Sequence, residues 1–318
     1  MIGKNPLNLG LCLVIATLAA VGSQTAKAIA ADGSSSGSWT IQQVRILEGF
    51  QIPECVCIDP ETGYGYVSNI VCPKGEQDKV DAKDGTGFIT RLKPGGEIDS
   101  LRWVDSAPGA ALNSIKGMCI LDGILYAADI DRVVRYRIQT GTPGKPIPIE
   151  GAKLLNDMVS DGRYAYVSDT LTGKIHRLRG ERVEPVATLA GANGITFANG
   201  KMYAVSVAEH EIYEMYPNDK RPPQPFGLAG HFQGLDGIEV LADGSFLVSD
   251  VLGHTVSHVD AGQTTVRLLS KLAWPADIGL DRRRNLLFVP QFWDSRVIVY
   301  QLEQAGKTTG TSPTPARP

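Results

Sequence analysis

A short sequence pattern recurs six times along the chain at intervals close to forty residues, and this repeat limits the fold more than any other feature. Each copy opens with a polar or small residue, usually followed by glycine or another small residue, and continues with alternating apolar positions. After a first interval of 62 residues, the spacing is 37 to 43 residues. The copies begin at Glu54, Lys116, Asn156, Asn193, Asp236 and Ala276.

Within each copy, turn signals separate short strand-like runs. The dipeptides Asp122-Gly123 and Asn199-Gly200 tolerate positive φ angles and favour tight hairpins. Three acids that end the second run, Asp129, Asp169 and Asp250, recur too regularly for catalysis, and we predict that they close turns of the blades. Short antiparallel strands with a forty-residue period predict an all-β fold, a six-bladed β-propeller of four-stranded antiparallel blades.

The last copy supports this prediction, because it lacks one strand. Only three strand-like runs follow Ala276, and the last of them ends near Leu302. The segment Trp39 to Leu47 precedes the first copy and can supply the fourth strand. Since an unpaired blade would expose a strand edge, we expect the ring to be closed by this N-terminal strand.

The N-terminal stretch has the composition of a secretory signal peptide. Lys4 precedes a nearly unbroken apolar run over residues 7–20, and Ala26-Lys27-Ala28 matches the small-x-small cleavage pattern. Cleavage after Ala30 and an uncleaved membrane anchor are the alternatives. The predicted organisation is a signal peptide over 1–28, a Ser/Gly-rich linker over 29–38, the propeller over 39–303 and a flexible polar tail over 304–318. The expected location is periplasmic or secreted, with no transmembrane segment after signal removal.

The net charge argues against a nucleic-acid partner, and the cysteine content limits the disulfide bonds and metal sites that the chain can form. The chain of 318 residues has a formal net charge of −3, so it lacks the basic excess of a nucleic-acid-binding protein. Cys55, Cys57, Cys72 and Cys119 remain after signal removal and allow three disulfide connectivities. Cys55 and Cys57 lie two residues apart on a predicted strand, which argues against a bond between them. No pair of CxxC elements exists, which disfavours a structural zinc site.

The long first interval contains an insertion, residues 71–87. Its charges alternate in sign along the segment, which is typical of a solvated loop. A loop of this length can instead cover one mouth of the ring. Both interpretations remain open from the sequence.

The six residues that open the copies are the candidate functional residues. First strands of the blades line the channel of a propeller, so their first residues converge at one mouth. Four of the six offer oxygen atoms, which suits a hard divalent cation, Ca²⁺ before Zn²⁺. The alternative is that Asn193 and Asp236, each before a glycine, are turn residues that bind their own backbone. Glu54 follows a proline, where no turn requires a glutamate.

Four segments in the same order resemble motifs of the SMP-30/gluconolactonase group, which includes regucalcin, bacterial gluconolactonases and strictosidine-synthase-like propellers. They are Pro53-Glu54-Cys55-Val56, Leu155-Asn156-Asp157, Asn193-Gly194 and Leu235-Asp236-Gly237. The resemblance covers most of residues 44–302. It implies a six-bladed propeller in which Glu54, Asn193 and Asp236 bind a divalent metal and Asn156 contacts the substrate.

Two residues depart from that family pattern. Leu154 stands where the sugar-lactone hydrolases of the group have an arginine, and Lys116 places an ammonium at the register of the channel. Both departures argue against gluconolactone itself as the substrate. The resulting hypothesis is an exported, metal-dependent hydrolase of a small lactone or ester, with Ca²⁺ as the expected metal. In it Asp236 accepts a proton from the attacking water and Lys116 assists the oxyanion.

The competing hypothesis is a non-catalytic propeller. Because propellers host many unrelated functions, the same fold can serve as a binding platform for a ligand or for another protein of the cell envelope. Lys116, Leu154 and Ala276 at the mouth favour this alternative.

Overall fold

Six four-stranded antiparallel sheets form the blades of a β-propeller in the computed structural model, which describes residues 39–72, 75–217, 219 and 221–304. The predicted all-β class and the blade count are confirmed. In the described part of the chain, the helical content is two short 3₁₀ turns, Gln77–Lys79 and Ala229–His231. Across those same residues, no helix has the length and apolar character needed to cross a membrane. The predicted signal peptide, linker and nearly all of the tail lie outside the described residues.

The N-terminal strand closes the ring as predicted. Strand β1 (Trp39–Leu47) pairs antiparallel with the last strand, β24 (Arg296–Gln304), from Trp39 opposite Gln304 to Leu47 opposite Val297. The sixth blade thus combines the two ends of the described chain, and its outer strand comes from the N-terminal side. This pairing removes the strand edge that an open ring would expose.

The first three blades follow one another in chain order. Blade 1 contains β2 (Pro53–Ile58), β3 (Gly65–Asn69), β4 (Phe88–Leu92) and β5 (Ile98–Asp105). Blade 2 contains β6 (Ile115–Leu121), β7 (Ile124–Asp129), β8 (Arg132–Arg137) and β9 (Ile147–Pro148). Blade 3 contains β10 (Leu155–Ser160), β11 (Ala165–Asp169), β12 (Lys174–Arg179) and β13 (Arg182–Thr188).

The last three blades repeat the arrangement. Blade 4 contains β14 (Ala192–Ala198), β15 (Lys201–Ser206), β16 (Glu211–Met215) and β17 (Gln224–Pro225). Blade 5 contains β18 (Leu235–Val240), β19 (Phe246–Asp250), β20 (Thr255–Val259) and β21 (Val266–Lys271). Blade 6 contains β22 (Gly279–Asp281), β23 (Leu286–Gln291), β24 and β1.

The core lies between neighbouring blades. Side chains alternate between the two faces of a strand, so each blade presents apolar residues to the blade before it and the blade after it. Between blades 2 and 3, Cys119 and Tyr126 pack in one cluster with Leu155 and Val167. Full burial of an apolar side chain of this size contributes about 1.5–3 kcal/mol. This packing fixes the first strands around the axis.

A β-bulge interrupts the first hairpin of five blades at the same register. In blade 3, Leu155 lies opposite Asp169 and Met158 opposite Val167, so that Asn156 and Asp157 together face one position of β11. The same shift occurs in the first hairpins of blades 1, 2, 4 and 5. A bulge redirects side chains away from the ladder. It therefore frees the residue that opens each copy, and the residue after it, for contacts near the axis.

Two of the predicted hairpin turns have the backbone that their sequence indicates. Asp122-Gly123 joins Leu121 to Ile124 with φ angles of 52° and 71°, and Asn199-Gly200 has φ angles of 52° and 76°. Both residues of a two-residue type I′ loop need positive φ, which Asn, Asp and Gly adopt with least strain. These turns set the register of the first hairpins in blades 2 and 4.

The insertion covers one mouth of the ring. Val80 is buried in a cluster with Ile52, Ile70, Ala276 and Phe292, which come from the start of blade 1 and from blade 6. Its packing places the inserted segment across the ends at which the first strands begin. Of the two interpretations left open by the sequence, the structure shows the covering loop. We call this end of the channel the covered mouth and the opposite end the open mouth.

Candidate functional site at the hub

Two consecutive residues in the first strand of blades 1 to 5, and two just before the first strand of blade 6, build the hub of the propeller. We call the residues that open the copies the outer ring: Glu54, Lys116, Asn156, Asn193, Asp236 and Ala276. The residues that follow them form the inner ring: Cys55, Gly117, Asp157, Gly194, Gly237 and Asp277. All the polar members of both rings are buried. The outer ring faces the covered mouth, whereas the inner ring borders the cavity of the open mouth.

Lys116 is the positive charge of the outer ring and is fully buried. Its Nζ lies 3.1 Å from Oδ1 of Asp81, which the insertion brings over the covered mouth. Burial alone would lower the pKa of Lys116, but the nearby carboxylates of Asp81, Glu54 and Asp236 outweigh it, and the pKa is raised. The lysine therefore stays protonated and ties the insertion to the hub.

Glu54 and Asp236 are the two acids of the outer ring. Burial raises the pKa of Glu54 well above its usual value, against the opposing effect of Lys116, and Asp236 raises it further. Burial raises the pKa of Asp236 to about 6, again opposed by Lys116 and by a hydrogen bond from Asn193. Oε2 of Glu54 is buried and has no hydrogen-bond partner among the described residues. A buried carboxylate oxygen without a partner is costly, so this atom marks a place for a proton or a cation.

The two asparagines of the outer ring have different surroundings. Asn193 is hydrogen-bonded to the Asp236 side chain, and its Nδ2 lies 3.4 Å from the carbonyl oxygen of Leu235. Nδ2 of Asn156 instead donates to Oγ1 of Thr170 at 3.0 Å. The charges of Glu54, Lys116 and Asp236 thus act on one another, and Asn193 contacts Asp236. Asn156 lies at the same register, but its amide nitrogen is held by its own blade.

The inner ring contains a cluster that the sequence analysis did not identify. Ligand atoms of Cys55, Asp157 and Asp277 all lie within 4.8 Å of one another. Asp157 Oδ1 accepts from the N–H of Met158 at 2.6 Å, and Oδ2 accepts from the N–H of Ile195 at 2.7 Å. Burial raises the pKa of Asp157 to about 7, and burial also raises the pKa of Asp277 and of Cys55. The three side chains therefore form a buried group that could hold a metal ion.

A signal for this cluster exists in the repeat. Three copies have glycine directly after the opening residue, whereas the other three have the cysteine and the two aspartates. A Cβ atom on Gly117 would lie 2.5 Å from Oδ1 of Asp157, and one on Gly237 would lie 2.6 Å from Oδ1 of Asp277. The glycines thus leave room for the aspartates of the next blade. Only knowledge of the bulges would have shown that these side chains meet.

The open mouth leads into a cavity of about 320 Å³. All three residues of the inner-ring cluster line this cavity, as do Cys57 and Cys119. At its rim, Arg282 Nη2 pairs with Oε2 of Glu239 at 2.6 Å. The inner ring is therefore reached from the side opposite the insertion.

The acids at the end of the second strands have the structural role predicted for them. Asp169 accepts from the backbone N–H groups of Lys153 and Leu154, and Asp250 accepts from those of Gln233 and Gly234. Asp129 does the same for the segment that enters blade 2. Each acid fixes the chain just before the first strand of its blade and so positions the outer ring. Cys55, Cys57 and Cys119 are free thiols.

Comparison with known proteins identifies the fold but no family. No family model and no curated protein matches the chain. Similar solved structures include a candidate gluconolactonase (15% identity, 84% of this chain and 93% of that one, TM-score 0.61). A luciferin-regenerating enzyme is 16% identical, over 85% of this chain and 96% of that one, with a TM-score of 0.58. Virginiamycin B lyase from Staphylococcus aureus is 12% identical, over 83% of this chain and 99% of that one, with a TM-score of 0.57. At these identities the likeness shows the fold alone, which is the six-bladed β-propeller described above.

Proposed function

We propose that this protein is a hydrolase of small lactones or esters that binds a divalent cation at the outer ring, with Ca²⁺ as the first candidate. The observation that carries the proposal is the unpartnered, buried Oε2 of Glu54 beside Asp236 and Asn193. Carboxylate and amide oxygens are the ligands that Ca²⁺ prefers. Lys116 forms its ion pair with Asp81 and acts on Glu54 only through its charge. The similarity of the fold to a candidate gluconolactonase supports the same reaction class.

In this proposal the roles of the residues follow from their contacts. Glu54, Asn193 and Asp236 would hold the cation, which would polarise the scissile carbonyl when bound. Asn156 is fixed by Thr170 and orients the substrate through its carbonyl oxygen. Asp236 accepts a proton from the attacking water, the acyl C–O bond breaks, and Asp236 returns that proton to the leaving alkoxide, which yields the hydroxy acid or the acid and alcohol. Lys116 assists the oxyanion once Asp81 has moved aside.

Access to this site requires motion. The four polar members of the outer ring that would bind metal or substrate are 6% exposed or less, and the insertion covers their mouth. We infer that residues 71–87 open to admit the substrate. Loop opening of this kind often limits the turnover of an enzyme.

The test compares the wild type with Glu54→Gln and Asp236→Ala. Metal analysis of the purified mature protein is followed by thermal unfolding in millimolar Ca²⁺ and in EDTA, and by a panel of lactones and esters in a pH-indicator assay. We expect a higher Tm with Ca²⁺ and hydrolysis by the wild type, and loss of both in the variants. Variants that bind Ca²⁺ and hydrolyse lactones like the wild type would refute the assignment.

The covered mouth favours one alternative, a non-catalytic platform that binds a ligand or an envelope protein. In that case Lys116 and Asp81 form a permanent closure, and the Tm is the same in Ca²⁺ and in EDTA. A Tm shift without turnover of any lactone or ester indicates a ligand-binding site that has no hydrolase activity.

Export remains part of the proposal. The N-terminal segment of residues 1–28 supports secretion to the periplasm or beyond. N-terminal sequencing of the protein from the periplasmic and culture fractions tests it, and a product that retains residue 1 contradicts cleavage.

A further inference from the structure

The three side chains of the inner-ring cluster include a sulfur ligand, whereas the candidate metal ligands of the outer ring are all oxygen atoms. Cys55 offers a thiolate and Asp157 and Asp277 offer carboxylates, all with ligand atoms within 4.8 Å of one another. Each side chain comes from a different blade, and the backbone N–H of Asp277 donates to the carbonyl oxygen of Glu54 at 2.9 Å. The cluster is thus held by direct contact between strand β2 of blade 1 and the segment just before β22 of blade 6.

The surroundings of the cluster are rigid and shaped to it. The N–H groups of Cys55 and Asp157 each donate to a serine hydroxyl of the second strand, at 2.9 Å. Gly117 and Gly237 leave the space that the two aspartate side chains occupy. Side-chain rotation is further limited because both oxygens of Asp157 accept backbone hydrogen bonds. A site held by such fixed contacts has the preorganisation that metal binding needs.

The charge balance of the hub favours a cation at the inner ring. In the described part of the chain, neither Asp157 nor Asp277 forms an ion pair with lysine or arginine, whereas Lys116 faces the acids of the outer ring. Glu54 adds negative charge that acts on both Cys55 and Asp277. The two aspartates and the thiol are therefore buried together with no lysine or arginine paired to them among the described residues, an arrangement that a bound metal would neutralise.

We propose that Cys55, Asp157 and Asp277 form a three-ligand site for Zn²⁺ that opens to the cavity of the open mouth. One sulfur and two oxygens suit a borderline metal, and three protein ligands leave a fourth position toward the cavity. Ca²⁺ is disfavoured because it takes six to eight oxygen ligands. The site is independent of the proposed function, since it shares no ligand with the outer ring and is approached from the opposite end.

The experiment titrates the metal-free mature protein with Co²⁺, a spectroscopic substitute for Zn²⁺, and then displaces Co²⁺ with Zn²⁺. We expect one equivalent to bind with a thiolate-to-cobalt charge-transfer band that Zn²⁺ abolishes. Cys55→Ser removes the band, and Asp277→Asn weakens binding at least tenfold. Cys57→Ser is the matched control, because Cys57 lines the same cavity outside the cluster, and it keeps the band.

A second measurement needs no variant, in case Cys55→Ser does not fold. X-ray absorption of the zinc-loaded wild type should show one sulfur scatterer at about 2.3 Å and oxygen scatterers at about 2.0–2.2 Å. A spectrum without sulfur, or a cobalt band that persists in Cys55→Ser, overturns the proposal. Asp236→Ala separates the two sites: it abolishes hydrolysis if the proposed function is right, and it leaves the cobalt band in place in either case.

Discussion

At the scale of a single residue, the structure explains how Lys116, which departs from the pattern of the resembling family, is accommodated at the hub. The sequence placed an ammonium among candidate metal ligands, and the fold supplies its partner from the insertion, Asp81, at 3.1 Å. No repeat pattern could have indicated this pair, because Asp81 lies in the one segment that the other copies lack. The pairing also explains how a lysine with no exposed surface remains charged.

We predict that Asp81→Asn destabilises the protein by about 3 kcal/mol, because it leaves the Lys116 ammonium buried without its ion pair. The remaining attraction of Glu54 and Asp236 keeps the loss at the lower end of the range for such pairs. Urea denaturation measures the change. The control is Lys83→Met. Lys83 lies on the same insertion and forms an exposed ion pair with Asp131, and its loss should cost less than about 1 kcal/mol. Equal losses in the two variants would contradict a special role for the buried pair.

His176 gives a prediction about pH. Burial lowers the pKa of His176, and its Nε2 has no hydrogen-bond partner in the part of the chain that the structure describes. Below its unfolded pKa of about 6.5 the unfolded chain binds a proton that the folded chain resists, so His176 makes stability fall as the pH drops. The buried acids with raised pKa values act in the opposite direction, so the comparison must be made with a variant.

We therefore expect His176→Leu to lose less stability than the wild type between pH 6.5 and pH 5. Free energies of unfolding from urea titrations at each pH measure the difference. His231→Leu is the control, since it replaces an exposed histidine by the same residue. A wild-type curve parallel to that of His176→Leu would show that His176 does not contribute.

At the scale of the strands, the repeat predicted where each first strand begins but not how its first residues are directed. Alternation fixes only which face of a strand a side chain occupies, and it correctly indicated that Glu54, Asn193 and Asp236 share a register. The bulge adds one residue, so Asn156 and Asp157 both face a single position of the next strand. Pattern analysis assumes an uninterrupted ladder, and for that reason it missed the cluster of the inner ring.

The bulges predict a strict requirement for glycine at Gly194. A Cβ atom there would lie 2.2 Å from the carbonyl oxygen of Asp236, which is backbone and cannot rotate away. We expect Gly194→Ala to cost about 3 kcal/mol, as overpacking of a rigid contact does, and to displace Asp236. Differential scanning calorimetry measures the loss. Gly230→Ala is the control, because nothing lies within 4 Å of its Cβ position, and a similar loss there would argue against the close strand contact.

At the scale of the whole molecule, the fold was predictable because each copy of the repeat forms one four-stranded blade. The missing fourth strand of the last copy indicated closure by Trp39–Leu47, and β1 pairs with β24 as expected. The covering of one mouth was not predictable in this way. It depends on Val80, whose burial against Ile52 and Phe292 follows from the tertiary fold alone.

The last prediction tests whether the outer ring and the inner ring exchange ions through different mouths of the channel. Val80→Ala removes packing that holds the insertion over the covered mouth and should cost about 2 kcal/mol of stability. If about 1.4 kcal/mol of this is lost from the closed form only, the open form becomes about tenfold more populated. Stopped-flow release of Ca²⁺ into a fluorescent chelator should then be about tenfold faster than in the wild type. Release of Co²⁺ through the open mouth should be unchanged.

Val44→Ala, which truncates an exposed valine outside the insertion, should change neither release rate. If Val80→Ala accelerates both ions equally, the hub has a single path to solvent and the separation of the mouths is wrong. If it accelerates neither, the insertion is not the gate of the outer ring, and the substrate of the proposed hydrolase must enter through the cavity of the open mouth, past Cys55, Asp157 and Asp277.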